Sequence, residues 1–159
     1  MNSTLDRIDF KILDALQKDG RLSNKELAAL VHLSPSSCWE RVRQLREQGV
    51  LKGFHATVDE KALGIGLEAM IGVSLKRHTR EAVESFRDHA LRVDEVLAVY
   101  HVTGGKDFLV HVAARDAEHL RDLALEALTT RPEVANLETS LIFQGDRKAG
   151  LPILVAEEL

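Results

Sequence analysis

The stretch that decides the fold is residues 23–49, SNKELAALVHLSPSSCWERVRQLREQG. It opens with a capping box, because the Ser23 hydroxyl and the Glu26 carboxylate can each accept from the other's backbone N–H at the start of a helix. After the short connection His32-Leu33, Ser34 is a candidate N-cap, followed by a proline at the first helical position, where its missing N–H is harmless. The stretch therefore predicts two helices joined by a tight turn.

A further helix precedes this pair. It is expected to start near Asp6, with Asp9 at the positive end of its dipole, and to stop at Gly20. Each of the three helices carries an apolar stripe, and the stripes are expected to share one core. They consist of Ile8, Ile12, Leu13 and Leu16 on the first helix, Leu27, Ala28, Leu30 and Val31 on the second, and Cys38, Val42 and Leu45 on the last, which Gly49 ends.

The last of these helices has a polar face opposite its apolar stripe, centred on Ser36, Glu40, Arg43 and Glu47 at 100° per residue. Short hydroxyls let a helix end approach base edges, and arginine pairs bidentately with guanine or phosphate, so this face suits the major groove of double-stranded DNA. The residues predicted to contact DNA are Ser34, Ser36, Ser37, Trp39, Glu40, Arg41, Arg43 and Arg46. The alternative is an ordinary three-helix domain whose charged residues are only solvated.

Charge is distributed unevenly along the chain. Taken as a whole, the net charge of −4 argues against nucleic acid as a partner. Up to Gly49, however, eight Lys and Arg stand against seven Asp and Glu, so this part carries +1 and the remainder −5. A single weakly cationic copy would bind DNA poorly, so DNA binding predicts linked copies in an oligomer.

Composition excludes several other classes of protein. No apolar run approaches the roughly 20 residues that span a bilayer, and the first residues lack the pattern of a signal peptide, so no membrane partner and a cytoplasmic location are expected. The single Cys38 rules out an intrachain disulfide and a thiolate zinc cluster. The seven histidines show no metal-ligand spacing and no catalytic motif occurs, so no catalytic residue, metal or cofactor is predicted.

The N-terminal motifs carry a family resemblance. They are Leu5–Asp9 with Ile12-Leu13, Arg21–Ser23, Glu26–Ala28, Leu33–Ser36, Cys38, Arg41-Val42, Leu45 and Gly49–Leu51. Together they resemble the DNA-binding domain of the leucine-responsive/asparagine-regulator (Lrp/AsnC, feast/famine) transcription regulators. His32 stands where that family usually has glycine in the turn between the helices, and if the turn needs a positive φ, histidine is among the better substitutes.

The rest of the chain repeats itself weakly at an offset of 37 residues. Val73, Leu75, Thr79, Val83, Phe86 and Ala90 recur as Val110, Val112, Asp116, Leu120, Leu123 and Ala127. In each copy an apolar strand runs into a helix cap and an amphipathic helix, and a further strand follows, around residues 96–102 and 134–143. The order β-α-β-β-α-β is typical of a ferredoxin-like sheet.

The expected fold class is therefore α+β, with an N-terminal winged-type helix-turn-helix domain and a C-terminal ferredoxin-like domain. Residues 1–50 are expected to form the DNA-binding domain and residues 66–145 an effector-binding and oligomerisation domain. Residues 51–65 should hold a linker and a short strand, since Phe54, Ala56 and Val58 alternate with His55 and Thr57. Residues 146–159 form a tail without a predicted place.

The central strands of the predicted sheet are apolar on both faces. Residues 97–100 and 108–110 read LAVY and FLV, so the face without helices is expected to pack on a second copy of the chain. The resemblance implies the same, because in this family the C-terminal domains pair through their sheets and the dimers often assemble into rings of eight.

The predicted hairpin Thr103–Asp107 has two interpretations. Taken alone, it is a turn in which glycine supplies a positive φ and aspartate caps the loop. The resemblance adds a second, because Gly104-x-x-Asp107 matches the family's effector motif, in which bare amides take an amino acid's carboxylate and the aspartate its ammonium. Lys106 departs from the aromatic residue frequent there. The residues implied to bind the effector are Tyr100, Gly104, Gly105, Asp107, Thr139 and Ser140.

The leading hypothesis is a sequence-specific DNA-binding transcription regulator that responds to a small molecule, expected to be an amino acid. Sirohaem decarboxylases resemble the same architecture but are enzymes, so the fold does not settle function. A third possibility is a ligand-sensing oligomer that works through protein contacts. The serine and arginine face discriminates among them, since only DNA binding requires it.

Overall fold

The computed structural model describes residues 5–146, 148 and 150–155. The chain divides into two compact units. One spans residues 58–145, and the other consists of the chain up to Thr57 together with the tail that starts at Asp146.

The N-terminal unit contains three helices, α1 (Arg7–Lys18), α2 (Asn24–Leu30) and α3 (Pro35–Glu47). The predicted N-caps are confirmed. The Asp6 carboxylate accepts from the N–H groups of Ile8 and Asp9, both at 2.9 Å, and α1 has a capping box of its own with Asp9. The capping box at the start of α2 is present, and the Ser34 hydroxyl caps α3 by accepting from the Ser37 N–H at 3.2 Å.

The core of the N-terminal unit lies where the three stripes meet and consists of Ile12, Leu16, Leu27, Ala28, Val31, Cys38 and Leu45. Leu30 is the exception to the prediction, since it is 58% exposed. Leu27, Ala28 and Val31 lie within about 100° of each other around α2, and Leu30 points outside that arc. Its side chain instead lines a surface groove together with residues of α1 such as Lys11 and Ala15.

The turn between α2 and α3 needs a left-handed residue. His32 adopts φ 58°, the conformation that favours glycine, and it is the one residue other than glycine with a positive φ in the described part of the chain. The turn that the sequence predicts is thus formed. It places His32 in a backbone conformation that glycine would adopt with less strain.

The strand predicted at Phe54, Ala56 and Val58 is not formed. Residues 52–59 have no regular secondary structure, and Phe54 and Val58 are about half exposed. Alternation predicts a strand only where another strand can take its backbone hydrogen bonds, and no neighbouring strand is present in the described part of this unit. A 3₁₀ turn, Glu60–Leu63, follows and ends at Gly64 with φ 80°.

The C-terminal unit confirms the ferredoxin-like order. It runs β1 (Leu67–Leu75), α4 (Arg80–Ala90), β2 (Val96–His101), β3 (Phe108–Ala114), α5 (Ala117–Leu123) and β4 (Val134–Ile142). The strands form an antiparallel sheet in the order β2-β3-β1-β4. A π-helical segment, Ala124–Thr129, continues α5.

The repeat at an offset of 37 residues corresponds to two equivalent halves. Thr79 and Asp116 cap α4 and α5 through their side chains, and Phe86 and Leu123 are both buried under the sheet. The helix-facing side of β1 and β3 supplies the rest of the core with fully buried residues such as Ile71 and Val110.

The sheet face without helices is mixed in character. On β2 and β3 it carries Tyr100, 49% exposed, and the partly buried Leu109, but also the buried His111, whose Nε2 pairs with Glu68 Oε2 of β1. On β1 and β4 it carries polar residues together with the partly buried Met70 and Ile142. The expectation of a wholly apolar second face is therefore wrong, because polar side chains lie on it among the apolar ones.

Within the described residues, no helix is both long and apolar enough to cross a membrane. Leu151, in the described part of the tail, contacts α1, because its N–H donates to Gln17 Oε1 at 2.6 Å.

Candidate DNA-binding face and effector hairpin

The N-terminal end of α3 presents three hydroxyls to solvent. Ser34, Ser36 and Ser37 are exposed, and the Ser34 Oγ lies 3.0 Å from Ser36 Oγ and 2.8 Å from Ser37 Oγ. Because Ser34 also accepts from the backbone, these hydroxyls are held at the helix end where backbone N–H groups lack intrahelical partners. This end can accept an anion or hydrogen-bond to a base edge.

The outward face of α3 is dominated by Arg43. Its Nη2 and Nε donate to the two oxygens of Glu40 at 2.6 and 3.1 Å, and its Nη1 donates to Glu47 Oε1 at 2.8 Å. The guanidinium carbon lies 5.7 Å from the centre of the Trp39 ring, in cation–π range. The arginine predicted to face outward does so, and it is bound on both sides by carboxylates of its own helix.

This arrangement changes the electrostatics of the face. Hydrogen bonding to Arg43 lowers the pKa of Glu40, and hydrogen bonding to Glu40 raises the pKa of Arg43. Arg46 on the next turn is exposed, and no carboxylate of the described residues lies within ion-pair distance of it. A groove of about 290 Å³ lies beside these side chains, lined by Trp39, Val42, Arg43, Arg46 and Glu47.

Arg41, also predicted to contact DNA, pairs with carboxylates at the start of α1. Its Nη1 donates to Asp6 Oδ2 at 2.7 Å and to Asp9 Oδ1 at 2.8 Å, so it ties α3 to the capping box of α1. Its side chain is 31% exposed. A contact between Arg41 and DNA stays a prediction that this position does not favour. The signal was present in the sequence, since Asp6 and Asp9 are acceptors on the helix that α3 must pack against.

The hairpin between β2 and β3 brings Gly104, Gly105 and Asp107 together. Gly104 has φ 116°, which a side chain would strain. In the described part of the chain, the Gly104 and Gly105 N–H groups donate to no acceptor. These two bare amides are therefore available to an anion.

Asp107 has partners that sequence reasoning missed. One carboxylate oxygen accepts from the Leu75 N–H at 2.7 Å, and the other lies 2.7 Å from Nδ1 of His78. The last residue pair of β1 with β3 is Val73 with Phe108, so Leu75 lies beyond that ladder and its N–H takes the Asp107 side chain instead of a β3 carbonyl. The Asp107 side chain is only 17% exposed, whereas that of His78 is 71% exposed, so a cation that replaced the imidazole would reach the carboxylate.

Lys106 extends along the sheet away from the hairpin. Its Nζ lies 2.8 Å from Glu138 Oε2 of β4, and its stem crosses Gly72, where a β-carbon would come within 3.2 Å of the lysine Cγ. The glycine in β1 is what allows the crossing. Lys106 thus joins the hairpin to β4 where the resemblance led us to expect an aromatic residue.

The other predicted effector residues are dispersed within one chain. Tyr100 lies on β2 opposite Leu109, whereas Thr139 and Ser140 lie on β4. Because β2 and β4 are the two edges of the sheet, Tyr100 is separated from both by β3 and β1. Thr139 and Ser140 also point to opposite faces, as adjacent residues of a strand do.

Titratable residues elsewhere do not gather into a metal site. Among the described residues, no group of three or more His, Cys, Asp and Glu is placed to hold a metal ion. His101 and His111 lie on neighbouring strands but on opposite faces, since His101 stacks on the buried Phe108 ring and His111 pairs with Glu68.

Comparison with known proteins agrees with this division of the chain. Residues 5–52 match the family described as winged helix-turn-helix DNA-binding, and residues 68–146 match the Lrp/AsnC ligand binding domain. The chain is 47% identical over 145 residues to the HTH-type transcriptional regulator AldR of Mycolicibacterium smegmatis, covering 91% of this chain and 85% of that protein. It is 36% identical over 140 residues to the leucine-responsive regulatory protein of Escherichia coli K12, covering 88% and 85%.

A solved structure is similar over nearly the whole length. The transcriptional regulator from Neisseria meningitidis in complex with L-methionine superposes with a TM-score of 0.86 at 33% identity, covering 94% of this chain and 97% of that one. The helix-turn-helix unit, the ferredoxin-like unit and these relatives lead to one conclusion: the chain belongs to the Lrp/AsnC family of transcriptional regulators.

Proposed function

We propose that this chain is a sequence-specific DNA-binding transcriptional regulator that reads the major groove with α3 and responds to an amino acid bound at the β2–β3 hairpin. The observation that carries the proposal is the outward face of α3, where exposed hydroxyls at the helix N-terminus adjoin Arg43 and Arg46. Ser34 also caps α3, but none of these side chains belongs to the core of the described N-terminal unit, which lies on the opposite side of α3.

The proposed DNA contacts are divided by position. Ser34, Ser36 and Ser37 bind at the N-terminal end of α3, where phosphate and base edges are both within reach. Arg43 and Arg46 follow about two and three turns after Ser36, with Trp39 and Glu40 between them. Arg41 is assigned to holding α3 on α1.

The test uses a duplex that the full-length chain selects from a random library. Fluorescence anisotropy should show a thousandfold or greater preference for this duplex over a scrambled one, the order of magnitude found for specific regulators. Ser36→Glu should abolish that preference by placing a negative charge at the helix end. Ala62→Glu adds the same charge to an exposed position of the other unit and should leave the preference intact. If the wild type shows no preference, the assignment is wrong.

For the effector, we propose that the Gly104 and Gly105 amides bind the carboxylate and Asp107 the ammonium group of an amino acid. A ligand at a hundred times its Kd stabilises a protein by about 2.7 kcal/mol, so thermal-shift screening of the common amino acids should identify it. Asp107→Asn should remove the shift, and Asp94→Asn, a charge-matched change at an exposed site, should keep it. An unchanged shift in Asp107→Asn would exclude Asp107 from the site.

We also propose that the chain works as a homodimer, assembling to an octamer, in the cytoplasm where it meets chromosomal DNA. The half-exposed Tyr100 and the neighbouring Leu109 support a covered surface along β2 and β3. Sedimentation velocity at micromolar concentration should therefore show a dimer or larger species, and a monomer would contradict this.

No enzymatic role is proposed, and the names of the relatives do not favour a sirohaem-decarboxylase-like activity. Titration with a porphyrin should leave the Soret band unshifted. A shifted band would reopen the enzymatic alternative.

A further inference from the structure

Arg43 is the most constrained side chain on the exposed face of α3. Glu40 precedes it by three residues and Glu47 follows it by four, so both carboxylates lie on the same helix face. All three guanidinium nitrogens donate to them, at 2.6, 3.1 and 2.8 Å. The Trp39 ring lies beneath the guanidinium at 5.7 Å. In the free protein, Arg43 is therefore held against its own helix.

A held arginine behaves differently from a free one toward DNA. A free guanidinium binds any phosphate, and this sequence-independent attraction makes up most non-specific affinity. Arg46, exposed and without a carboxylate of the described residues in ion-pair range, can act in that way. Arg43 first has to leave two carboxylates, and both of these repel a nearby phosphate.

The two kinds of DNA contact compensate for that release unequally. In the major groove a carboxylate can accept from the N4 amino group of cytosine while a guanidinium binds O6 and N7 of guanine. Along the phosphate backbone the released carboxylates meet only acceptors of their own charge. The penalty of freeing Arg43 is thus larger where the protein is on the wrong sequence.

We propose that Glu40 and Glu47 set the specificity of DNA binding by restraining Arg43, so that the arginine is released to a matching base edge and withheld from phosphates. The proposal rests on the proposed function, namely that α3 reads the major groove. It assigns Glu47, which has no predicted role in DNA binding, as a positioning residue that acts through Arg43.

The test compares charge-neutralising variants of nearly identical shape, Glu47→Gln and Glu40→Gln, in the full-length chain. The control is Asp14→Asn, because Asp14 is an exposed carboxylate of α1 that pairs with Lys18 at 2.7 Å, away from the face of α3. Anisotropy titrations use the duplex selected by the wild type and a scrambled duplex of equal length, at several salt concentrations.

Each Glu→Gln variant should bind the scrambled duplex about 3- to 10-fold more tightly, with a salt slope steeper by about one counterion. Affinity for the selected duplex should rise less, so the preference for it falls. Asp14→Asn should change both affinities by the same small factor. If Glu47→Gln strengthens both duplexes equally, or leaves the scrambled duplex unaffected, the proposal is overturned.

A double-mutant cycle separates restraint of Arg43 from a general charge effect. In an Arg43→Ala background, Glu47→Gln should no longer favour the scrambled duplex, because the residue that it restrains is gone. An effect that persists in this background would also overturn the proposal. If Arg43→Ala alone leaves binding to the selected duplex unchanged, it is the proposed recognition face that fails.

Discussion

On each side of α3 an arginine is paired with two carboxylates, and the two arginines differ in where those carboxylates lie in the fold. Arg41 bonds to Asp6 and Asp9, which lie more than 30 residues away on α1 and are part of its capping box. Arg43 bonds to Glu40 and Glu47 of its own helix, and its side chain is 46% exposed. Although the two arginines are only two residues apart in sequence, Arg41 joins α3 to α1, whereas Arg43 pairs only within α3.

The comparison shows that the role of each arginine depends on whether its carboxylate partners belong to another helix or to its own. Breaking the contacts of Arg41 removes the ion pairs between α3 and the start of α1, and it leaves the Asp9 carboxylate, whose side chain is 15% exposed, without its cation. Breaking the contacts of Arg43 alters no packing, because exposed ion pairs within a helix contribute little to folding. We therefore expect Arg43 to exchange its carboxylate partners for DNA and Arg41 to keep its own.

The largest expected effect is on DNA binding by Arg43→Ala. Loss of a bidentate base contact should weaken binding to the selected duplex about 5- to 150-fold, while the thermal unfolding midpoint stays at the wild-type value. Anisotropy at fixed salt and differential scanning fluorimetry measure the two quantities. If Arg43→Ala bound the selected duplex as tightly as the wild type, Arg43 would have no role in DNA binding.

Arg41→Ala should act on stability. Two charge-assisted hydrogen bonds between α1 and α3 are lost, and the free energy of unfolding in urea should fall by about 1–3 kcal/mol. Arg41→Lys, which keeps the charge but not the fork, should recover part of that loss. A folded Arg41→Ala protein of wild-type stability that no longer bound DNA would reverse the roles of the two arginines.

A smaller effect is expected in the pH dependence of stability. Burial raises the pKa of Asp6, but hydrogen bonds from the Asp9 backbone and from Arg41 outweigh it and hold that pKa below its ordinary value. A lowered folded-state pKa gives stability that is present above the unfolded value, about 3.9, and is lost as the pH falls through the folded one. The stability difference between wild type and Arg41→Ala should therefore shrink from pH 7 to pH 3.

Arg43→Ala is the control for this pH effect, and urea titrations at each pH provide the measurement. Its pairs are exposed, so its stability should follow that of the wild type across the same range. A constant difference between wild type and Arg41→Ala would mean that Asp6 does not depend on Arg41.

The smallest expected effect concerns the turn that orients both faces of α3. His32→Gly removes a side chain from a residue at φ 58° but makes the unfolded chain more flexible. The net result should be a gain of up to about 1 kcal/mol in the free energy of unfolding, with unchanged affinity for the selected duplex. Destabilisation by this substitution would show that the imidazole itself supports the turn.

The sequence predicted features that depend on neighbours along the chain. Asp6, Ser23 and Ser34 cap their helices as expected, because a cap is a contact between residues two or three positions apart. The repeat at an offset of 37 residues predicted the two halves of the ferredoxin-like unit, since each half contains its own strand, cap and helix. The Gly104 hairpin and the outward direction of Arg43 follow from the same local rules.

Tertiary structure decided which distant groups meet. The alternation of Phe54, Ala56 and Val58 could not show that no strand of the described residues lies beside this segment, and the apolar Leu30 could not show that α1 and α3 leave it uncovered. Arg41 pairs with carboxylates at the start of another helix, and Asp107 accepts from the Leu75 N–H because Leu75 lies beyond the last residue pair of β1 with β3. A hydrogen bond or a buried contact requires a second group close in space. The periodicity of one segment describes that segment alone and does not identify the group it will contact.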